Sequence, residues 1–169
     1  MRRPILRYGA PVLHTRAAPL ADITPDVEQL IDDMIETMHA APGVGLAAPQ
    51  VGEGLRLCVV DLSVGQRAAD LHVLVNPVLV SMEGMQLHEE GCLSVPGVEA
   101  SVVRPARVLV RALDRQGQSR DIQADGLLAR ALQHELDHLD GVLFVDRLRP
   151  MYRRSIERRI ERLRRAGKW

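Results

Sequence analysis

Gly126-Leu127-Leu128-Ala129-Arg130-Ala131-Leu132-Gln133-His134-Glu135-Leu136-Asp137-His138-Leu139-Asp140-Gly141 is the stretch on which the reading of this chain turns. A helix should begin after Asp125 and stop near Gly141, with Leu127, Leu128, Ala131, Leu132, Leu136 and Leu139 on its apolar side. At about 3.6 residues per turn, His134 and His138 fall on one face, where two imidazoles can share one metal ion. Glu135 projects roughly a quarter turn away, suited to hydrogen-bonding a water on that metal without binding the metal itself. Such a pentad arises by chance in roughly one chain in a few hundred. Its bland counterpart is a solvated helix with two surface histidines, and Leu132, Leu136 and Leu139 argue against that by supplying the burial a metal site needs.

A third ligand has to come from elsewhere. Asp137, between the histidines, points to another part of the helix. Cys92 lies in Glu90-Gly91-Cys92-Leu93-Ser94, a glycine-containing segment where backbone can approach a ligand closely. A thiolate with two imidazoles leaves a coordination position for water, which marks a catalytic and not a structural metal. Such a metal can lower the pKa of water from 15.7 to about 7.

Working outward, residues 43 to 126 read as short strands, including Leu55 to Val60, Val73 to Asn76, Val98 to Val103 and Val108 to Leu113. Asn76-Pro77 and Asp114-Arg115-Gln116-Gly117 read as turns, the latter a hairpin leading to Asp121 to Ala124. Before them, Thr24-Pro25 starts a helix whose apolar face is Val27, Leu30, Ile31, Met34, Ile35 and Met38 and which should end before Pro42. A third helix should run from about Pro150, with Ile156, Ile160 and Leu163 as a narrow stripe among arginines. The order helix, strands, helix, helix predicts an α+β fold: antiparallel β-sheets around a central metal-binding helix, with an N-terminal packing helix and a C-terminal helix. At 169 residues one domain is expected over 1–169, of which about 150–169 forms a basic C-terminal helix.

Lys plus Arg and Asp plus Glu number 22 each, so no net charge draws the whole protein onto nucleic acid or membrane, and neither DNA nor a membrane is expected as a partner. The charge is unevenly spread, with ten Arg or Lys against two Glu from Arg147 to Lys168. No apolar run approaches the roughly 20 residues of a membrane span, and the N-terminus lacks the apolar core of a signal peptide, so a cytoplasmic location is expected. Arg2, Arg3, Arg7 and Arg16 raise the question of a transit peptide, but Pro4, Pro11 and Pro19 interrupt any amphipathic helix there. Cys58, inside Leu57-Cys58-Val59-Val60, reads as a buried strand residue, and a disulfide with Cys92 is disfavoured in a reducing compartment. His14, His39 and His72 lack partners at metal spacing and read as surface or turn residues.

Three blocks then resemble those of peptide deformylases: Gly43-Val44-Gly45-Leu46-Ala47-Ala48-Pro49-Gln50, Glu90-Gly91-Cys92-Leu93-Ser94 and Gln133-His134-Glu135-Leu136-Asp137-His138. They stand in that family's order and at its usual separations. Ile5-Leu6-Arg7-Tyr8-Gly9 is similar to the family's opening, so the resemblance covers the whole chain. It implies a metal-dependent hydrolase acting on N-formylmethionyl peptides and nascent chains, which frees formate and an amine. Cys92, His134 and His138 would hold one divalent metal, Fe²⁺ in the cell, although Zn²⁺, Ni²⁺ or Co²⁺ suit the same donors. Activity should then decay in air and be preserved by nickel or cobalt.

The resemblance also assigns roles. Glu135 would take the water proton and return it to the leaving nitrogen. Gln50 and the backbone N–H of Leu93 would hold the developing oxyanion, where losing one donor typically costs about 3 kcal/mol. Val44, Gly45, Leu46, Glu90, Leu127 and Ala131 would meet the substrate; Gly43 and Gly45 would let the loop run extended beside it. Val44, Leu127, Ala131 and the ring of His134 would line a methionine pocket.

Arg130 and His88 stand where the family commonly has apolar residues, and Glu99 where related sequences often carry an arginine that meets the substrate, so altered selection after methionine is expected. The basic tail resembles a helix with which some members dock on the ribosome, where arginines would meet RNA phosphate. Two other readings remain: a metal-dependent endopeptidase, which needs only the helix motif, and a non-catalytic deformylase-derived binding protein.

Overall fold

Strand β2 (Leu57–Asp61) is buried along its whole length, and its alternation explains the layering of the computed structural model, which describes residues 1–169. Leu57 and Val59 face one way, into a core shared with helix α1 (Pro25–Ala40). Cys58 and Val60 face the other, into a core shared with helix α2 (Gly126–Leu139). Successive side chains on a strand point to opposite faces, so a central strand between two helices must be apolar throughout.

The sheet around β2 is antiparallel with five strands in the order β1-β2-β3-β6-β7. Its members are β1 (Gly45–Ala47), β3 (Leu71–Glu83), β6 (Arg107–Leu113) and β7 (Ser119–Asp125). A separate ribbon pairs β4 (Gln86–Cys92) with β5 (Val95–Arg104). Helix α3 (Pro150–Arg165) lies beyond. Together with the β4–β5 ribbon and the segment after α2, it closes a third core: Val95, Val98 and Val102 meet Leu143, Phe144 and Ile160. The chain is thus α+β, with antiparallel sheets about α2.

Local signals account for most element ends. The Thr24 hydroxyl accepts the Val27 N–H at 3.4 Å, and Pro25 opens α1 with a φ already suited to a helix. Asp114 Oδ1 accepts the N–H groups of Gln116 and Gln118 in the β6–β7 hairpin. Gly126, at φ +52°, lets β7 pass straight into α2. At the other end of α2, Arg56 donates to the Leu139 carbonyl at 2.9 Å and pairs with Asp140, a cation where the helix dipole is negative.

Two expectations, those for Asn76-Pro77 and Leu127, are corrected here. Asn76-Pro77 is not a turn but the interior of β3, where the ladder to β6 shifts register between Val75 and Val78. Asn76 takes φ +50° there, its side chain accepting the Leu20 N–H at 2.8 Å and donating to the Leu20 carbonyl at 2.9 Å. A long-range partner thus turned a local turn signal into a bulge. Strand β4 was not expected at all. Leu127 leaves the apolar side of α2 and is 58% exposed. On α3, Ile160 is 2% exposed and packed with Ile156 against the third core, so the stripe faces the body of the protein.

Asn76→Ala should cost about 2–3 kcal/mol in urea unfolding, since it removes two hydrogen bonds and keeps the unfavourable φ. Asn76→Gly should cost about 1 kcal/mol less, because glycine tolerates that φ; equal losses would contradict this account. Asp61 offers a second test. Burial alone would raise its pKa, but bonds from the Ser63 hydroxyl, the Gly65 N–H and His39 bring it from 3.8 down to about 2. The stability it contributes is present above the unfolded value and lost as pH falls through the folded one. The urea-midpoint advantage of the wild type over Asp61→Asn should therefore shrink between pH 5 and roughly pH 2.

Candidate metal centre

Cys92 stands at the end of β4, where the register to β5 breaks between Gly91 and Cys92 and the sulfur leaves the ribbon toward α2. There its Sγ lies 3.3 Å from Nε2 of His138. One ligand atom from each of Cys92, His134 and His138 falls within 4.8 Å of the others. The two imidazoles, four residues apart on α2, have ring centroids 5.0 Å apart. Cys58 is fully buried in β2, on the face that packs against α2, and is not one of these donors.

The donor set fits a divalent cation. His134 Nδ1 is bonded to Glu90 Oε1 at 2.9 Å, which fixes the tautomer and leaves Nε2 free to act as a ligand. Without a cation the cradle is electrostatically awkward. His134 is burdened by burial, but Cys92 and Glu90 outweigh this and raise its pKa well above the usual range. Burial, and then the neighbouring His134, push His138 well below it. One shared cation would remove this conflict, since Cys92, His134 and His138 would each offer it a lone pair.

Behind the cradle runs a buried ionic network. Glu90 Oε2 accepts from Arg104 Nε at 2.5 Å and is also paired with Arg130; Arg104 Nη1 reaches Asp137 at 2.9 Å, and Arg147 closes on Asp137 from outside. Burial alone would raise the Glu90 pKa, but Arg104 and His134 bring it down to about 2. Glu90 was expected to meet the substrate. Glu90 borders the cleft, but its carboxylate is committed to these cations.

Glu135 is 3% exposed and its Oε2 has no hydrogen-bond partner. Burial is the main cause that pushes its pKa up to about 7. It fits only because residue 45 is glycine: a Cβ there would collide with the Glu135 carboxylate. Similarly, a Cβ on Gly43 would come 2.8 Å from Leu93 Cδ1. Gln50 is 2% exposed; its Oε1 accepts the Ala47 N–H at 2.9 Å, which turns Nε2 toward Ser94 Oγ at 3.1 Å and Cys92 Sγ at 3.6 Å. The Leu93 N–H has no acceptor among the backbone carbonyls. The N-terminal segment joins the two loops, Leu6 N–H donating to Gln50 O and Tyr8 N–H to Ser94 O, each at 2.8 Å.

A cleft of about 680 Å³ opens above these groups, bordered by Val44, Gly45, Leu127, Ala131, His134 and Glu135 among others. Leu46 is the exception among the expected lining residues. Strand alternation sends it to the opposite face of β1, where it is fully buried in the core with α1 and does not border the cleft. His88 is exposed and borders a neighbouring depression instead. Sequence reasoning missed Ser94 and Arg104. The second left a signal: Arg104 shares the inward parity of Val98 and Val102 on β5, so a charge was due on a buried face.

The polypeptide deformylase family model matches residues 2–154. A peptide deformylase of Acidobacterium capsulatum is 46% identical over 169 residues, covering 100% of this chain and 99% of that relative. The crystal structure of a peptide deformylase from Legionella pneumophila is similar at 44% identity and a TM-score of 0.92, covering 99% of this chain and 98% of that one. That of a peptide deformylase from Synechococcus elongatus in complex with actinonin is similar at 40% identity and a TM-score of 0.88, covering 95% and 90%.

Glu90→Gln should weaken divalent-metal binding by about 10- to 100-fold, measured on folded protein by competition with a chromophoric chelator. Unchanged affinity would mean that Glu90 does not orient His134.

Proposed function

Since the chain belongs to the polypeptide deformylase family, we propose that the residues of its cleft divide the work of deformylation as follows. The protein is a metal-dependent hydrolase that removes the formyl group from the N-terminal formyl-methionine of newly made polypeptides and releases formate. Cys92, His134 and His138 hold the metal, and the observation that carries this is the convergence of their three donor atoms within 4.8 Å. When bound, the metal supplies Lewis acidity, which polarises a carbonyl and lowers the pKa of water.

The other steps belong to the protein's own groups. Glu135 takes the proton of the attacking water on its carboxylate and returns it to the leaving nitrogen; a carboxyl whose pKa is pushed up to about 7 suits both transfers near neutral pH. Gln50 Nε2 and the Leu93 N–H donate to the developing oxyanion, and the Gln50 amide is held for this by the Ala47 N–H and the Ser94 hydroxyl. Gly43 to Gly45 run beside the substrate backbone. Val44, Leu127, Ala131 and the His134 ring receive the methionine side chain, and the half-exposed Leu127 has apolar surface to give to that contact.

Further parts of the same reading concern metal and setting. The metal is Fe²⁺ in the cell, with zinc, nickel or cobalt able to replace it at these donors. Residues 1–169 act as one domain, in the cytoplasm; no helix is long and apolar enough to cross a membrane. The C-terminal helix docks on the ribosome through Arg154, Arg158 and Arg162, which are exposed and lie on one face away from Ile160. The family match ends at residue 154, so most of that helix is outside it.

The test is formate release from a formyl-methionyl peptide by anaerobically prepared, iron-loaded protein. Turnover is expected, chelation should abolish it, and Glu135→Gln should lower kcat by about 10²–10⁴-fold with the metal retained. Gly45→Ala should act similarly by displacing Glu135. Casein cleavage without formate release would contradict the reading.

A further inference from the structure

The outer wall of the cleft is built from the β4–β5 ribbon, and it carries two carboxylates that the chemistry above does not use. Glu89 and Glu99 both border the cleft and both are exposed. Glu99 stands opposite Gly91 and Glu89 opposite Ser101, so the two are diagonal neighbours on one face of the ribbon. Between them Gly91 contributes no side chain to shield either. Whereas Glu90 is locked by Arg104, Arg130 and His134, no lysine, arginine or histidine of this chain pairs with Glu89 or Glu99.

The cations nearby are committed or face elsewhere. Arg130 lines the cleft but is buried and tied to Glu90 and the Val102 carbonyl. Arg159, from α3, comes within 3.8 Å of where a Cβ on Gly97 would stand, yet is not among the residues bordering the cleft. His88 borders only the adjoining depression, which shares Glu89, Leu127 and Arg130 with the cleft. Deeper in, the buried Oε2 of Glu135 also lacks a partner. A divalent metal held by Cys92, His134 and His138 would give the deep end positive charge, whereas no unpaired cation borders the outer half.

We propose that Glu89 and Glu99 make this enzyme favour formyl-methionyl chains with lysine or arginine at one of the two positions after methionine, and disfavour acidic residues there. The proposal rests on the deformylase reading of the cleft. Glu99 faces Gly91, the residue next to the Cys92 ligand, and an extended chain advances about 3.3 Å per residue. The residues just past methionine therefore come abreast of this wall when the formyl group is at the cradle. Two solvent-exposed carboxylates acting on one cation should give about a 3- to 10-fold preference, and salt should weaken it, because screening reaches about 10 Å at 0.1 M.

The test compares kcat/KM of the metal-loaded full chain on formyl-methionyl tripeptides that differ only in lysine, alanine or glutamate at the second or third position. At low ionic strength the lysine peptide is expected to exceed the glutamate peptide by about 3- to 10-fold at one of those positions. That ratio should approach one in about 0.5 M salt and in E89Q/E99Q, and should invert in E99R. Equal values for the two peptides at low salt, or a ratio that survives in E89Q/E99Q, would overturn the proposal while formate from the alanine peptide upheld the deformylase reading. No formate from any peptide would overturn both.

Discussion

A sulfur from a β-ribbon and two imidazoles from a helix must meet at one point, and the rest of the structure answers to that constraint. Cys92 Sγ and His138 Nε2 are 3.3 Å apart although β4 and α2 belong to different layers. Such an approach needs the two elements locked in register, and apolar packing alone is too permissive to fix it to a fraction of an ångström. The lock is ionic. Glu90, two residues before the cysteine, grips Arg130 and His134 on α2 and Arg104 on β5, and Asp137 takes the remaining reach of Arg104. Buried charges are costly unless paired and hydrogen-bonded. Here the pairing is nearly complete, so the network contributes geometry more than net stability.

The same region accepts a local cost. Glu135 sits almost fully buried with one oxygen unpartnered, an arrangement that a stability-driven core would avoid. Gly45 is the price: only a residue without a Cβ leaves room for the carboxylate. The two loops beside it are tied together by the N-terminal segment through Leu6 and Tyr8. A strand end, a glycine loop and a helix are thereby held around one small volume, which is how a site can be preorganised without a large domain.

Much of this was legible. The helical period placed His134, Glu135 and His138 correctly relative to one another, and the apolar spacing gave α1 and α2 nearly to their ends. What failed was what depends on distant partners. β4 carries His88, Glu89 and Glu90 in succession and reads as a polar loop; only the arginines of β5 and α2 make it a strand with a buried carboxylate. Asn76-Pro77 reads as a turn until Leu20 is brought alongside. Leu46 was grouped with its neighbours Val44 and Gly45 although strand alternation sends it to the other face. The arginine-rich face of α3 was visible, but that its apolar stripe is consumed by packing on the body was not.

The most direct measurement is X-ray absorption spectroscopy at the metal edge of the protein loaded with one equivalent of zinc, alongside Cys92→Ser. The account predicts one sulfur and two imidazole nitrogens from the protein around each metal, with the sulfur lost in the variant. A metal with no sulfur neighbour, or a coordination shell unchanged by Cys92→Ser, would contradict it.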